Sequence, residues 1–400
     1  MQMLKNNEFL QPLFLSRFNL IIVIFLFLGG CTVMQPLQKR KLIGVFHLIE
    51  TARYADAKTA AEELINDEET AQWPRTWYAR GVLCQNAYRE GIKKNDKNLS
   101  ELYPDQLFVA LESFDKALEL DESGRIEKQL APRYVLLAND FQIAGERHFR
   151  NNKFGDALRA FAQAVEISEK PFLEMRADTN LIFNAGLAAF ESQDWDKAIK
   201  YFGRLHHKHY SANTTHLLYM AQLNKSDTTA AKKTLSEGIE RYKNNEELVL
   251  LLANLHFSSN DTSAALLVLN KAIGSNPDNH IFYYTKGLIY QKTEQFIEAI
   301  DAYQEAVRYA PDELMAYVNI ATSYYNIGVE IDENARAIMN GAMVREEKEK
   351  SAAAYDNAIA WLDKAYERDP KDQEVIRRLH GLYRALRIND KARILERKIR

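Results

Sequence analysis

Only 16 glycines and 9 prolines occur in 400 residues. That is too few for an all-β chain, which reverses direction at frequent tight turns. Cysteine is scarcer still, with Cys31 and Cys84 the only two. If Cys31 is modified, no internal disulfide can form, and Cys84 on an apolar helix face reads as a buried, inert thiol. Charge of one sign is lacking too. The formal net charge is −3, without the basic stripe of a nucleic-acid binder. The longest uncharged apolar run is Leu20 to Leu28, nine residues, whereas a bilayer span needs about 20. GxxxxGKS/T, GxSxG and HExxH are absent. The many carboxylates are scattered as on exposed helix faces, and no catalytic pair stands out. The chain reads as a non-enzyme without a cofactor.

What the sequence does have is aromatic residues and a repeat. Tyr (20) and Phe (19) are abundant, as where rings wedge between packed helices. Residues 280–314 read HIFYYTKGLIYQKTEQFIEAIDAYQEAVRYAPDEL. Tyr283, Gly287 and Tyr290 form one stripe and Ala299, Tyr303 and Ala306 another, both at the spacing of a helix that buries one face. Lys292 to Gln295 is polar and turn-like between them. Pro311 closes the second helix. This stretch resembles a tetratricopeptide repeat, a helical hairpin of about 34 residues.

The small residue opening each second helix recurs at Ala57, Ala110, Ala157, Ala198, Ala231, Ala265, Ala299, Ala358 and Ala392. From Ala198 to Ala299 the intervals are 33, 34 and 34. An aromatic stands three residues before the marker at Tyr54, Phe154, Trp195, Phe296 and Tyr355. Gly81, Gly145, Gly186, Ala253, Gly287 and Ala321 supply the small residue where the first helix crosses the second. Pro277, Pro311 and Pro370 close units. The unit marked by Ala231 lacks the Gly and is placed by its spacing alone. The expected fold is all-α: a right-handed α-solenoid of about nine tetratricopeptide hairpins over residues 42–398, with polar end repeats as caps.

Two units carry insertions between their helices, at about 85–106 and 326–354. In the second, Ile327, Ile331, Ala335, Ile338 and Ala342 extend the first helix, Asn340-Gly341 supplies a turn, and a long helix returns, giving a projecting hairpin. In the first, Asn95-Asp96 breaks the helix and Pro104 suits the first turn of the next.

The N-terminus reads as an address. Arg17 precedes the Leu20–Leu28 run, and Leu28-Gly29-Gly30-Cys31 follows. This resembles a bacterial lipoprotein signal, Bacteroidetes-like. The resemblance implies removal of residues 1–30, lipidation of Cys31 and a tether over 31–41. Thr32 rather than Asp after the cysteine implies outer-membrane delivery, and the absence of an acidic run in VMQPLQKRK favours the periplasmic face. Lys39, Arg40 and Lys41 suit acidic headgroups.

In repeats of this family the first helices line a concave groove. Carrying that frame over gives Phe149, Phe183, Phe190, Asn254, Phe257, Tyr284, Leu288, Gln291, Thr322, Tyr325 and Asn326 as groove-facing. Aromatic and amide side chains together suit an extended peptide or a helix. The resemblance thus implies a membrane-anchored scaffold for a protein or peptide partner in cell-envelope assembly or maintenance. Two alternatives remain. His206 and His209 share a helical spacing that could hold a metal for a regulator or enzyme, and the aromatic groove could bind glycan such as peptidoglycan.

Overall fold

The computed structural model describes residues 36–174, 176–243, 245–336, 338 and 341–399. The Leu20–Leu28 run, the Leu28-Gly29-Gly30-Cys31 stretch and the expected lipidation at Cys31 lie outside the described residues. Among the described residues every regular element is helical, and nineteen α-helices pair into nine hairpins. The chain divides into a unit ending at Leu130 and a second unit from Ala131.

The first unit holds α1 (Pro36–Glu50) with α2 (Tyr54–Ile65), and α3 (Pro74–Lys94) with α5 (Gln106–Glu119), the short α4 (Lys97–Ser100) lying between the last two. Helix α1 starts at Pro36, within the expected tether of 31–41, because Pro36 fits a first helical position. Pro104 does not open α5. Asp105 takes a left-handed φ of 52°, so the helix begins one residue later, at Gln106.

The second unit continues with α6 (Arg125–Arg150, begun in the first) and α7 (Phe154–Ser168), α8 (Thr179–Glu191) and α9 (Trp195–His207), then α10 (Ala212–Asn224) and α11 (Thr228–Arg241). There follow α12 (Glu246–Ser258) and α13 (Thr262–Ser275), α14 (His280–Lys292) and α15 (Phe296–Tyr309), α16 (Leu314–Ala335) and α17 (Gly341–Arg368), and α18 (Gln373–Ala385) and α19 (Asn389–Glu396). Pro277, Pro311 and Pro370 each stand two residues beyond a helix end, where they cannot continue it.

Seven hairpins close with the same three-residue turn. Its middle residue is left-handed: Ala52, Asn152, Gln193, Ser226, Asn260, Glu294 and Arg387, with φ between 57° and 62°. The next N–H then reaches back five residues, as Gln295 N does to the Tyr290 carbonyl at 2.9 Å and Asp194 N to Ala189 at 2.9 Å. This is a Schellman closure that satisfies the helix's last carbonyls, here built without glycine. In three turns the third residue is an aspartate that caps the second helix: Asp194 to Lys197 N, Asp227 to Ala230 N and Asp261 to Ala264 N. The marker alanine stands five residues after the left-handed one every time. All nine markers are buried. The unit at Ala231 has this turn as well.

Four residues past the marker comes the side chain that fills the hairpin: Phe114, Phe161, Phe202, Leu235, Leu269, Tyr303 and Leu362, all buried. A ring faces glycine. A Cβ on Gly145 would lie 2.7 Å from Phe161, and one on Gly186 2.6 Å from Phe202. Leu269 clusters with Ala253, and Leu362 with Ala321. In the weak unit Leu235 clusters with Tyr219, which holds the position of the missing glycine. Volume is therefore traded across the helix crossing.

Helices α16 and α17 pair along their length. Gly328 receives the Tyr355 ring, Tyr355 donates to Asp332 at 3.0 Å, and the rings of Tyr325 and Tyr355 stand 5.5 Å apart. Beyond this point Ala335 is buried, while residues 345–346 and 348–350 are exposed, with Lys350 paired to Glu346 and Glu347 at 3.0 and 2.8 Å. Gly341 is the first residue of α17 rather than part of the turn, and Ile338 follows the end of α16.

Candidate functional site

The residues named for the first-helix face do not share one environment. Phe183 is 6% exposed, and its ring packs 6.0 Å from Phe202 and 5.9 Å from Tyr210. It is a core residue, because α8 is buried from Leu181 through Gly186 and presents no polar face there. Phe149 and Phe190 are half-buried and meet Phe154 and Trp195 edge-on at 5.2 and 5.3 Å. They brace the turn of their own hairpin, whereas Tyr325 packs against Tyr355 along the paired length of α16 and α17.

The remaining residues come together on α12, α14 and α16. The Tyr284 ring stands 5.6 Å from Tyr303, and its hydroxyl accepts from Asn319 at 3.1 Å. Tyr303 in turn donates to Gln291 at 2.8 Å. Leu288 packs beside this core. Lys292 lies over the Phe257 ring at 5.8 Å, a cation–π contact between successive first helices. Burial pushes the Tyr284 and Tyr303 phenols up, so both stay neutral donors and acceptors at ordinary pH. Thr322 spends its hydroxyl on the Val318 carbonyl of its own helix at 2.8 Å. Asn254 is exposed and Asn326 half-buried, and neither amide has a hydrogen-bond partner among the described residues. The face therefore offers apolar rings fixed from behind and two free amides. Asn319 and Lys292 escaped the sequence reading. Their roles depend on neighbouring helices, and no spacing along one helix reports that.

A shallow depression of about 360 Å³ lies further along the same row of first helices, lined by His216, Tyr219, Met220, Leu223, Asn224 and Leu251. In the first unit, Trp77, Phe108 and Leu111 floor another of about 550 Å³ rimmed by Glu112, Asp115 and Glu119.

The metal expectation fails on geometry. Helix α9 ends at His207, and His209 sits beyond it with φ 57°, so it leaves the face that carries His206. His206 is itself committed. It is 3% exposed, and its Nδ1 and Nε2 lie 3.0 Å from Thr215 and 3.1 Å from Glu237. Among the described residues no group of three His, Cys, Asp or Glu side chains could hold a metal. Cys84 is buried and its thiol is pushed up to about 12, by burial first, as expected for an inert thiol.

Residues 280–313 and 181–209 match the tetratricopeptide repeat family. A search of curated proteins gave no match. The solved structures similar to part of this chain include these three. A TPR repeats protein from Bacteroides fragilis NCTC 9343 is 18% identical, covering 62% of this chain and 98% of its own, with a TM-score of 0.36. The C-terminal part of a TPR repeat-containing protein from Cytophaga hutchinsonii is 14% identical, covering 64% and 92%, with a TM-score of 0.44. MamA from Desulfovibrio magneticus RS-1 is 17% identical, covering 47% and 90%, with a TM-score of 0.33.

Proposed function

We propose that this chain, a tetratricopeptide-repeat protein and on that account a protein-interaction scaffold, holds a peptide or protein segment on the first-helix face of α12, α14 and α16. The observation that carries this reading is the pairing of apolar rings with free amides. Tyr284, Leu288 and Phe257 offer apolar anchors braced from behind, while Asn254 and Asn326 keep amides available for a bound backbone. Anchors give affinity and amides fix register. Because Tyr303 and Asn319 already hold Gln291 and Tyr284, a ligand would meet side chains ordered in advance and lose little entropy on binding.

The finer reading is a lipoprotein tethered through Cys31 at the periplasmic side of a bacterial outer membrane, serving envelope assembly or maintenance. The Leu28-Gly29-Gly30-Cys31 stretch supports it. Four residues lie between Cys31 and Pro36, the start of α1, and the five Cα steps span at most about 18 Å. No catalytic step is proposed.

Two experiments test the two parts separately. A photo-crosslinking residue at position 288 should trap a protein partner in intact cells, whereas one at exposed Ile297 of α15 should not. Adducts from both positions, or from neither, would remove the first-helix face as the docking site. Cys31→Ser should release the protein from the membrane fraction, and retention there would refute the anchor.

A further inference from the structure

The last hairpin carries a charge imbalance unlike the rest of the chain. Residues 373–400 contain nine Lys and Arg against three Asp and Glu, a net of +6. The whole chain is −3, so residues 1–372 carry −9. Seven of the nine are arginine. All eight basic residues among 373–399 are exposed. Glu374 takes up two of them, Arg378 at 2.8 Å and Arg377 at 4.0 Å. Arg384, Arg387, Arg393 and Arg397 have no ion pair among the described residues. On α18, Arg377 and Arg384 flank Gly381 at spacings of four and three. A Cβ at Gly381 would meet nothing within 4 Å, so the space over the helix surface between these two positions is open.

We propose that the exposed side of α18 and α19 docks an acidic segment of a partner protein. An exposed helix face needs only polar side chains for solubility, and mixed charges supply that. A single-sign field is instead a recognition device. Guanidinium forks match carboxylates two bonds at a time, which lysine cannot do. A lipid surface fits less well. Ile394, 60% exposed, is the one large exposed apolar side chain of this hairpin, too little for a helix that beds into headgroups. The inference does not depend on the face around Tyr284 or on the anchor at Cys31.

The test uses the full-length protein in a mild detergent and a short fluorescein-labelled polyglutamate peptide. Saturable binding is expected at low ionic strength, weakening steeply with salt. The combined change Arg384→Glu, Arg387→Glu and Arg393→Glu should weaken it at least about tenfold. Reversal of exposed Lys208, Lys271 and Lys348 to Glu changes net charge equally and should leave binding within about twofold. The same three arginines changed to Gln should give an intermediate loss without like-charge repulsion, and thermal melts check that each variant is folded. No saturable binding, or equal loss in both reversal variants, overturns the proposal. So does displacement of the peptide by soluble dihexanoyl phosphatidylglycerol or by an oligonucleotide, which would reassign the face to phosphate groups.

Discussion

A Cβ on Gly287 would lie 2.6 Å from Cδ1 of Tyr303. The first helix of this hairpin can cross the second only because that carbon is missing. Gly287→Ala should therefore cost about 1–3 kcal/mol by overpacking. Tyr303→Leu alone should cost a similar amount, through a cavity and the lost bond to Gln291. The double variant recreates the combinations of Ala253 with Leu269 and Ala321 with Leu362. It should recover at least about 1 kcal/mol relative to the sum of the singles. Urea denaturation of the four proteins measures this, and simple additivity would show that volume is not traded between the two helices.

The left-handed turn residues store strain that glycine would relieve. Glu294 has φ 60° and an L side chain there costs about 1–2 kcal/mol, against roughly 0.5–1 kcal/mol of extra chain entropy for glycine. Glu294→Gly should stabilise the α14/α15 hairpin by about 0.5–1 kcal/mol, and Glu294→Val should destabilise it. In a repeat array such changes act locally. Amide exchange of residues 280–309 is the sensitive readout, and slower exchange in the Val variant than in the Gly variant would contradict the argument.

His206 makes stability depend on pH. Burial holds its imidazole below the ordinary value of 6.5, against the pull of the Glu237 hydrogen bond, and Arg241 and His207 add to the lowering. The unfolded chain then binds the proton at a higher pH than the folded one. The contribution is complete above 6.5 and is lost as pH falls from 6.5 toward the lower folded value. The Glu237 carboxyl, lowered mainly by that same hydrogen bond, adds stability above its ordinary 4.5 that disappears in more acidic solution. Between pH 7 and 6 the urea midpoint should fall in the parent and fall less in His206→Gln. Parallel curves would mean that His206 does not report its burial.

The Tyr103 phenol helps tie the first insertion back, beside Lys58, which donates to the Leu102 carbonyl at 2.7 Å, and Gln106, which donates to the Leu99 carbonyl at 3.0 Å. Tyr103 donates to Glu62 at 2.7 Å, Glu62 also accepts from Arg80 at 3.1 Å, and Lys58 stands 4.5 Å over the Tyr103 ring. Tyr103→Phe keeps the ring and removes the bond, so it should cost about 1 kcal/mol. Amide exchange should quicken in residues 95–105 while the α14/α15 hairpin is unchanged. An unaltered insertion would show that the remaining contacts hold it without the phenol.

The hairpins themselves were legible in the sequence. Helical periodicity, the alanine markers near 34-residue spacing and the closing prolines are local consequences of burying one helix face, so residue order alone determines them. Even the unit without its glycine was placed by spacing, since a missing side chain does not change the length of two helices and a turn. What only the tertiary structure decided is what each side chain meets. Phe183 and Phe190 look alike along the chain, yet one is core and the other braces a turn, because α8 is covered on both sides near its middle and not at its end. His206 and His209 share a spacing, yet the Schellman turn at His209 sends them apart. The left-handed turns carry no glycine to announce them. Asn319 reaches Tyr284 across 35 residues of sequence, a contact set by how one hairpin packs on the next, which periodicity within either hairpin does not encode.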